Sequence, residues 1–219
     1  MNTDLPILLL PGTLCDAALW AGLTLPPGAR VLEAVRGRSL ADAAQRALEG
    51  APQRFHLIGF SLGAILAFEL LRLAPERVAR LTLISANPHA PNTAQLAAWE
   101  VQERQVRAGN FGALAESLCS GPHAGTLLAM ARRLGPDAFL EQLALLRSRP
   151  DSRPTLAGYS GPLTLLAGRE DAVTPVHLAE EMQALCPQAE LHVVPGAGHY
   201  LPLDAPDALS DVLRETAYA

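Results

Sequence analysis

The sequence predicts an α/β protein built on a mostly parallel sheet of about six strands, with helices on both faces of the sheet and a helical segment inserted between two strands. Short apolar runs without clean alternation recur along the chain, as expected for strands covered on both faces. Helical patterns separate these runs, and such alternation is typical of βαβ units. Only residues 87–160 break the rhythm, because they carry helical patterns alone.

Six runs rich in Leu, Ile and Val are predicted as strands. In chain order they are Ile7–Leu10, Ala29–Val35, Phe55–Phe60, Arg80–Ser85, Pro162–Ala167 and Glu190–Val194. The first run is far shorter than the ~20 residues of a membrane span, and an acid and no basic segment precedes it. We therefore expect a buried strand there, not a signal segment or an anchor.

Four helices are predicted outside the insertion. The first has Ser39 as its N-cap, Asp42 at the capping-box position and Gly50 at its end. The second follows the third strand directly. The third has Thr174 as its N-cap and Pro175 in its first turn. The last three cover Ser61–Leu73, Pro175–Leu185 and Asp207–Thr216.

The insertion is predicted to form four further helices, which cover Thr93–Ala108, Phe111–Leu118, Gly125–Leu134 and Pro136–Ser148. Glycine-containing pairs at residues 109–110, 121–122 and 135–136 separate them as hinges or turns. A helical insertion between two parallel strands would lie over the carboxyl ends of the strands. The predicted division is therefore a core of residues 1–86 and 161–219, with residues 87–160 as a lid.

A G-x-S-x-G pattern occupies residues 59–63, with Ser61 at its centre. It follows an apolar strand and opens a helix, which is the setting that a nucleophile elbow requires. Side chains two residues before and after the serine would clash across so sharp a turn, and Gly59 and Gly63 remove them. The pattern predicts Ser61 as a nucleophile. The alternative is a glycine-eased turn with an incidental serine.

A serine hydroxyl becomes a good nucleophile when a neighbouring imidazole takes its proton. Of six histidines, only His199 lies in a glycine-bounded loop just past a strand end, which would place it at the same sheet edge as Ser61. We predict His199 as the base, against the alternative of a surface loop histidine. A structural or solvated role is expected for the other five, which are His56, His89, His123, His177 and His192.

The imidazole in turn needs a carboxylate that holds its tautomer and stabilises its cation. Asp171 follows the fifth strand through a short turn, so the same strand-end argument selects it. Its neighbour Glu170 is the competitor. Asp204 is a further candidate, although its place before Pro206 suits the entry of a helix better.

Acyl transfer also needs N–H donors for the negative charge that develops on the substrate oxygen. One should be the backbone N–H of Leu62, directly after the nucleophile. The second should come from the loop after the first strand, where Gly12 permits a sharp turn and leaves the N–H of Thr13, or of Leu14, aimed at the site. Asp16 is predicted to cap a helix over residues 17–22. An ordinary strand-ending turn is the alternative for this loop.

The three candidate residues follow one another along the chain in the order Ser61, Asp171, His199, which is the order of the α/β-hydrolases. Each lies in a characteristic segment, and a fourth such segment contains the loop after the first strand. The four segments read LLLPGTLCDAALW near the N-terminus, IGFSLGA at Ser61, LLAGREDAVTP at Asp171 and VVPGAGHYLPLDAP at His199. Together they resemble the α/β-hydrolase superfamily, and in particular its small capped carboxylesterases, which include pimeloyl-carrier methyl esterases and enol-lactone hydrolases. The segment RRLGPDAFLEQLALLRSRPDSRPTL is similar to the lid of such enzymes. The resemblance covers nearly the whole chain.

The resemblance implies a hydrolase that uses no metal and no organic cofactor. A serine nucleophile excludes the dehalogenase and epoxide-hydrolase branches, which use Asp. The family commonly has His-Gly where this chain has Pro11-Gly12, so a side chain that helps to fix the oxyanion loop is missing. The chain also begins directly with the strand before that loop, and a sheet of about six strands is expected instead of the usual eight.

The function expected from these residues is hydrolysis of a small or medium carboxylic ester or thioester through an acyl-enzyme on Ser61. A second interpretation keeps the three residues but assigns C–C bond hydrolysis or a lyase step in which His199 abstracts a proton. A third is a non-catalytic binding module on the same fold. Residues that can line a substrate pocket are Leu14, Trp99, Phe111, Leu114, Leu118 and Met130. For those of residues 87–160 the alternative is the core of the lid, which apolar residues at helical spacing form more often than a pocket.

Composition limits the partners. The formal net charge is −5, and no basic cluster exceeds the pair Arg132 and Arg133, so neither nucleic acid nor an anionic membrane is an expected partner. A small-molecule substrate is expected instead. Cys15, Cys119 and Cys186 are odd in number and widely spaced, which predicts buried thiols, not a disulfide framework or a zinc site. A reducing cytoplasm is the predicted location.

Overall fold

A computed structural model of the chain describes residues 5–218, and the side chains of residues 5–214. The acidic N-terminal stretch used above, residues 1–4, lies outside this part. Within it, six strands form one parallel sheet in the order β2-β1-β3-β4-β5-β6. The strands are β1 Ile7–Leu10, β2 Arg30–Val31, β3 Phe55–Phe60, β4 Val78–Ile84, β5 Leu163–Gly168 and β6 Glu190–Val194. The predicted fold class, a parallel six-stranded sheet between helices, is confirmed.

The second strand is shorter than expected, because the prediction of a strand over Ala29–Val35 was wrong for all but two residues. β2 is an edge strand that pairs with β1 alone, and Arg30 is exposed. Its pairing ends where the N–H of Leu32 donates to the carbonyl of Leu9 at 2.9 Å. An edge strand has a single neighbour, so little of the apolar run is held in the ladder.

Nine helices are found in residues 5–218, together with two short 3-10 helices at Ala17–Trp20 and Pro75–Arg77. They are α1 Leu40–Glu49, α2 Leu62–Leu73, α3 Thr93–Arg107, α4 Phe111–Leu118, α5 Ala124–Ser148, α6 Arg153–Ala157, α7 Val176–Leu185, α8 Leu201–Asp204 and α9 Pro206–Tyr218. The short helices α6 and α8 were not predicted, since one turn leaves no periodic pattern.

The predicted caps have mixed outcomes. Ser39 caps α1 as predicted, because its hydroxyl accepts the N–H of Asp42 at 3.1 Å. Asp16 caps the first 3-10 helix, although that helix ends at Trp20. The assignment of Thr174 as the cap of α7 was wrong. Pro175 occupies that position, and the Thr174 hydroxyl donates instead to Asp171 at 2.7 Å.

Helix α5 contains a break at the predicted glycine–proline pair. Gly135 has φ 76° and ψ 179°, a backbone conformation that side chains disfavour, and Pro136 follows it. The two halves therefore correspond to the two helices predicted on either side of this pair.

The core lies on both faces of the sheet. Along β1, Leu8 and Leu10 belong to one cluster of buried side chains and Ile7 and Leu9 to the other. Helices α1, α2 and α7 cover the first face, whereas α8, α9 and the first 3-10 helix cover the second. Burial of every residue of β1, β3 and β5 explains why these runs lacked alternation.

The chain between β4 and β5 contains α3, α4, α5 and α6 and, within the described residues, no strand. Helices α3, α4 and α5 pack mainly on one another. Because all six strands are parallel, the loops after β1, β3, β5 and β6 meet at one edge of the sheet, and the predicted site residues lie in these loops.

Candidate active site

The turn between β3 and α2 holds Ser61 in a strained conformation, with φ 51° and ψ −110°. A Cβ atom on Gly59 would lie 2.6 Å from the carbonyl oxygen of Gly63, and one on Gly63 would overlap the carbonyl of Leu10. Both glycines are therefore required sterically by the close approach of strand and helix. The turn presents the Ser61 side chain at the carboxyl edge of the sheet, ahead of the first turn of α2.

Three side chains from three loops form one hydrogen-bonded line. The Oγ of Ser61 lies 3.1 Å from Nε2 of His199, and Nδ1 of that ring lies 2.9 Å from Oδ2 of Asp171. The His199 side chain is 13% exposed and that of Asp171 is fully buried. The structure thus brings together the three residues that the sequence singled out as nucleophile, base and acid.

Asp171 accepts four hydrogen bonds. Besides His199, they come from the hydroxyl and the backbone N–H of Thr174, at 2.7 and 2.8 Å, and from the N–H of Val173 at 2.8 Å. Burial by itself raises the pKa of Asp171, but the hydrogen bonds and charge of His199 together with the Thr174 donors outweigh it, and the pKa lies below its usual value. The carboxylate is therefore ionised at neutral pH.

The competing acids lie elsewhere. Glu170 is exposed to solvent beside Asp171. Asp204 faces the loop that carries His199, where its Oδ2 accepts the N–H of Gly198 at 2.8 Å and its Oδ1 lies 2.8 Å from the ring of His123. It therefore holds the loop before the imidazole.

Two residues that sequence reasoning missed also position His199. The hydroxyl of Ser85, at the end of β4, donates to the carbonyl of His199 at 2.9 Å. The ring of Phe60 packs against the imidazole with centroids 5.3 Å apart. Phe60 is the variable residue before the serine in the G-x-S-x-G pattern, so that pattern could have drawn attention to it.

The loop after β1 approaches the nucleophile closely. A Cβ atom on Gly12 would lie 2.7 Å from the ring of Phe60 and 3.3 Å from the Cβ of Ser61. The N–H of Leu14 is already used, because it donates to Oε1 of Gln142 at 2.9 Å. Within residues 5–218, the N–H groups of Thr13 and Leu62 donate no hydrogen bond, so both are free for a substrate oxygen.

Helix α5 braces this loop through two contacts that the sequence did not reveal. The Gln142 side chain is fully buried and also donates from Nε2 to the carbonyl of Val35 at 3.1 Å. Arg133 donates to the buried carboxylate of Asp16 at 2.7 and 3.1 Å. These contacts stabilise a loop that has Pro11 where the resembling enzymes commonly have His.

The hydrogen-bonded line faces a cavity of about 400 Å³ that is lined mostly by apolar surface. Thr13, Ser61 and His199 line it together with residues of α3, α4 and α5. Of the six predicted pocket residues, Leu14, Trp99 and Leu118 line this cavity. A smaller cavity of about 270 Å³ adjoins it at His199 and is bordered by Ser120, His123 and Asp204.

The assignment of Phe111, Leu114 and Met130 to the pocket is wrong for this structure. They belong to the apolar cluster where α4 packs on α5, and Met130 is fully buried there. The rings of Phe111 and Phe139 are 6.1 Å apart. These apolar residues at helical spacing therefore form the core between α4 and α5. This is the alternative to a pocket that the sequence pattern had left open.

The described part of the chain offers neither a metal site nor a membrane-spanning helix. Residues 5–214 contain no group of three or more His, Cys, Asp or Glu side chains placed to hold a metal ion. Cys15, Cys119 and Cys186 are buried. Among the helices of residues 5–218, none has the length and the apolarity needed to cross a membrane.

Comparisons with known proteins show the family to which the chain is similar. The sequence model of a family described as "Alpha/beta hydrolase family" matches residues 7–212. The pimeloyl-[acyl-carrier protein] methyl ester esterase of Edwardsiella ictaluri is 30% identical over 200 residues, which are 82% of this chain and 75% of that protein. The biotin biosynthesis bifunctional protein BioHC of Cellvibrio japonicus is 29% identical over 180 residues, 75% of this chain. The match spans only 35% of that longer protein.

Solved structures show the same architecture. A thermophilic esterase from Thermogutta terrifontis superposes with a TM-score of 0.82 at 25% identity, and the match covers 98% of this chain and 89% of that chain. A structure from a study of carboxylesterases of Nitrososphaera gargenis also gives a TM-score of 0.82, with 99% and 90% covered. Its identity of 19% shows the fold alone.

Proposed function

This chain belongs to the alpha/beta hydrolase family and is a hydrolase of esterase type, and from that premise we propose that it cleaves a small or medium carboxylic ester or thioester through an acyl-enzyme on Ser61. The observation that carries the proposal is the line from Ser61 through His199 to Asp171, at 3.1 and 2.9 Å, facing the cavity. A nucleophile, a base and an orienting carboxylate within hydrogen-bonding distance are the parts that acyl transfer requires.

Acylation follows from this geometry. Nε2 of His199 takes the proton of Ser61 while Oγ bonds to the carbonyl carbon of the substrate. The carboxylate of Asp171 keeps the proton of the ring on Nδ1 and stabilises the imidazolium. When the tetrahedral intermediate collapses, the imidazolium donates its proton to the departing alcohol or thiol, and the acyl group remains on Ser61.

The negative charge of the intermediate is assigned to two backbone donors. The N–H groups of Thr13 and Leu62 donate no hydrogen bond within residues 5–218, and each such donor contributes about 3–4 kcal/mol to a transition state of this kind. Gln142 supports the choice of Thr13, because it occupies the N–H of Leu14. Deacylation repeats the sequence with water, which His199 deprotonates.

The cavity supports the substrate class. A volume of about 400 Å³ with apolar walls suits an acyl group of small or medium size. Relatives named for the hydrolysis of a methyl ester on a carrier-bound acyl group support an ester as the reacting bond. The helices of residues 87–160 that line this cavity are proposed to act as its lid.

The matched pair Ser61→Ala and Ser160→Ala tests the proposal. Ser160 is an exposed serine after α6, so its loss should leave turnover of p-nitrophenyl butyrate unchanged. Ser61→Ala should lower kcat by at least ~10³-fold, because the acyl-enzyme cannot form. A fluorophosphonate probe should label the parent and Ser160→Ala proteins but not Ser61→Ala. Full turnover by Ser61→Ala would exclude the covalent mechanism, and an unlabelled folded parent protein would favour a binding module.

A further inference from the structure

The cavity in front of Ser61 contains one charged group that the mechanism does not use. Arg149 follows α5 and is 6% exposed, and it lines the cavity together with Ser61 and His199. Among the described residues, it is the only Asp, Glu, Lys or Arg side chain that lines this cavity. A buried guanidinium in a mostly apolar cavity calls for an explanation, since burying an unpaired charge is costly.

Neutral groups hold the guanidinium in place. Its Nε donates to the carbonyl of His89 at 2.9 Å and its Nη2 donates to Oε1 of Gln95 at 3.0 Å. The guanidinium carbon lies 5.4 Å from the centre of the Trp99 ring. These contacts fix the orientation of the planar group, and they leave the N–H groups of Nη1 without a partner among residues 5–214.

The positive charge of Arg149 is not paired with an acid in the part of the chain whose side chains are described. Within the described side chains, no carboxylate lies within 4.0 Å of it, whereas the buried carboxylate of Asp16 is paired with Arg133. Burial lowers the pKa of Arg149 to about 10, and no nearby carboxylate offsets this effect. The group is still protonated at neutral pH, so the cavity holds a cation for which the side chains of residues 5–214 supply no counter-ion.

The two cavities that meet at His199 indicate which part of a substrate reaches Arg149. His199 passes its proton to the leaving group, and the smaller cavity, which His199 also borders, is assigned to that group. The larger cavity contains Thr13 and Arg149, and its apolar walls include Ile65 and Leu146. It therefore suits the acyl chain.

We propose that Arg149 binds a carboxylate at the far end of the acyl group, so that the preferred substrates are monoesters or monothioesters of dicarboxylic acids. The inference rests on the proposed esterase function and specifies its substrate class. A guanidinium binds a carboxylate in a planar, charge-assisted pair, and such a pair is strong where water is excluded. The methylene groups of the acyl chain contact the apolar walls between the two polar ends.

A pair of substrates with the same acyl chain tests the preference. For the acids from succinic to suberic, we expect kcat/KM to be higher for the monomethyl ester than for the neutral dimethyl ester at one or more chain lengths. Arg149→Gln should lower the ratio of the two values by about 10- to 100-fold, the effect of losing one hydrogen-bonded charge pair. Arg149→Lys keeps the charge and should retain part of the preference.

Arg132→Gln is the matched control, because Arg132 is an exposed arginine on α5, the helix that precedes Arg149, and is paired with Glu116. It should leave both kcat/KM values unchanged. A parent protein that prefers the dimethyl ester at every chain length would overturn the proposal. So would an Arg149→Gln protein that loses activity equally on both esters, since Arg149 would then act only in holding Gln95 and Trp99.

Binding measured without turnover separates this inference from the proposed function. In a Ser61→Ala background, calorimetric titration should show binding of the monomethyl esters, weakened about 10- to 100-fold by Arg149→Gln. Absence of such binding in a protein that hydrolyses neutral esters would overturn the carboxylate site and leave the esterase function intact.

Discussion

The buried carboxylate of Asp171 accepts four hydrogen bonds, and one of them, at Oδ2, comes from the imidazole of His199. Its neighbour Glu170 has the same charge and points to solvent. Substitutions of these two adjacent acids can therefore be compared to test the role proposed for Asp171, because only Asp171 contacts the ring of His199.

Asp171→Asn should lower kcat for p-nitrophenyl butyrate by about 10³- to 10⁴-fold, since an amide N–H facing Nδ1 favours the wrong tautomer of the ring. Glu170→Gln should stay within about twofold, as expected for an exposed residue without contact to the ring. Steady-state kinetics on both variants checks this. A larger loss in Glu170→Gln than in Asp171→Asn would reverse the assignment of the two acids.

The buried side chain of His56 leads us to expect that the stability of the fold depends on pH. His56 is buried in β3, where its Nε2 lies 2.7 Å from the hydroxyl of Thr82. Burial, with a smaller effect from the charge of Arg80, lowers the pKa of His56 to about 3. Between that value and the ~6.5 of an unfolded chain, the unfolded state binds a proton that the folded state does not, so stability falls as pH falls through this window.

The free energy of unfolding should therefore decrease by up to about 1.4 kcal/mol per pH unit from this one site as pH drops below ~6.5. Urea unfolding at pH 7, 6 and 5 measures it. His56→Gln keeps a hydrogen-bonding group near Thr82 and should flatten the slope, whereas the exposed His177→Gln should not. Equal slopes in the parent and His56→Gln proteins would show that His56 does not carry the effect.

At the scale of elements, the site residues that follow strands could be predicted from the sequence. The contacts between residues far apart in the sequence could not. Ser61, Asp171 and His199 each lie in the turn or loop that follows a strand, so local patterns and the parallel sheet place them at one edge. The hydrogen bond from Leu14 to Gln142 joins residues 128 positions apart. No local pattern signals such a contact, and the same holds for Arg149.

The brace from α5 to the oxyanion loop is the element-scale prediction. Gln142→Leu leaves the N–H of Leu14 and the carbonyl of Val35 without partners, which should lower the free energy of unfolding by about 1–3 kcal/mol. The loosened loop should also reduce kcat/KM by up to about 10²-fold, as small misplacements of a reacting group do.

Denaturant unfolding and ester kinetics on Gln142→Leu check both effects, with the exposed Gln105→Leu on α3 as control. A protein that is destabilised but fully active would mean that the loop is positioned without α5. Full stability and full activity together would contradict the brace altogether.

At the scale of the whole molecule, the sheet and the inserted helices have separate tasks. The sheet brings the ends of β3, β5 and β6 together and so presents nucleophile, acid and base at one edge. Helices α3, α4 and α5 line the cavity, and α5 also braces the loop after β1 and is followed directly by Arg149. We propose that the core carries out the chemistry and that residues 87–160 select the ester that reaches it.

The acyl-enzyme on Ser61 is the central claim, and intact-protein mass spectrometry after acid quenching during turnover of p-nitrophenyl butyrate tests it most directly. The account predicts that part of the protein gains one butyryl group, that peptide mapping places this group on Ser61, and that Ser61→Ala protein gains none. Steady turnover by a chain that stays unmodified, or a butyryl group on another residue of the active protein, would contradict it.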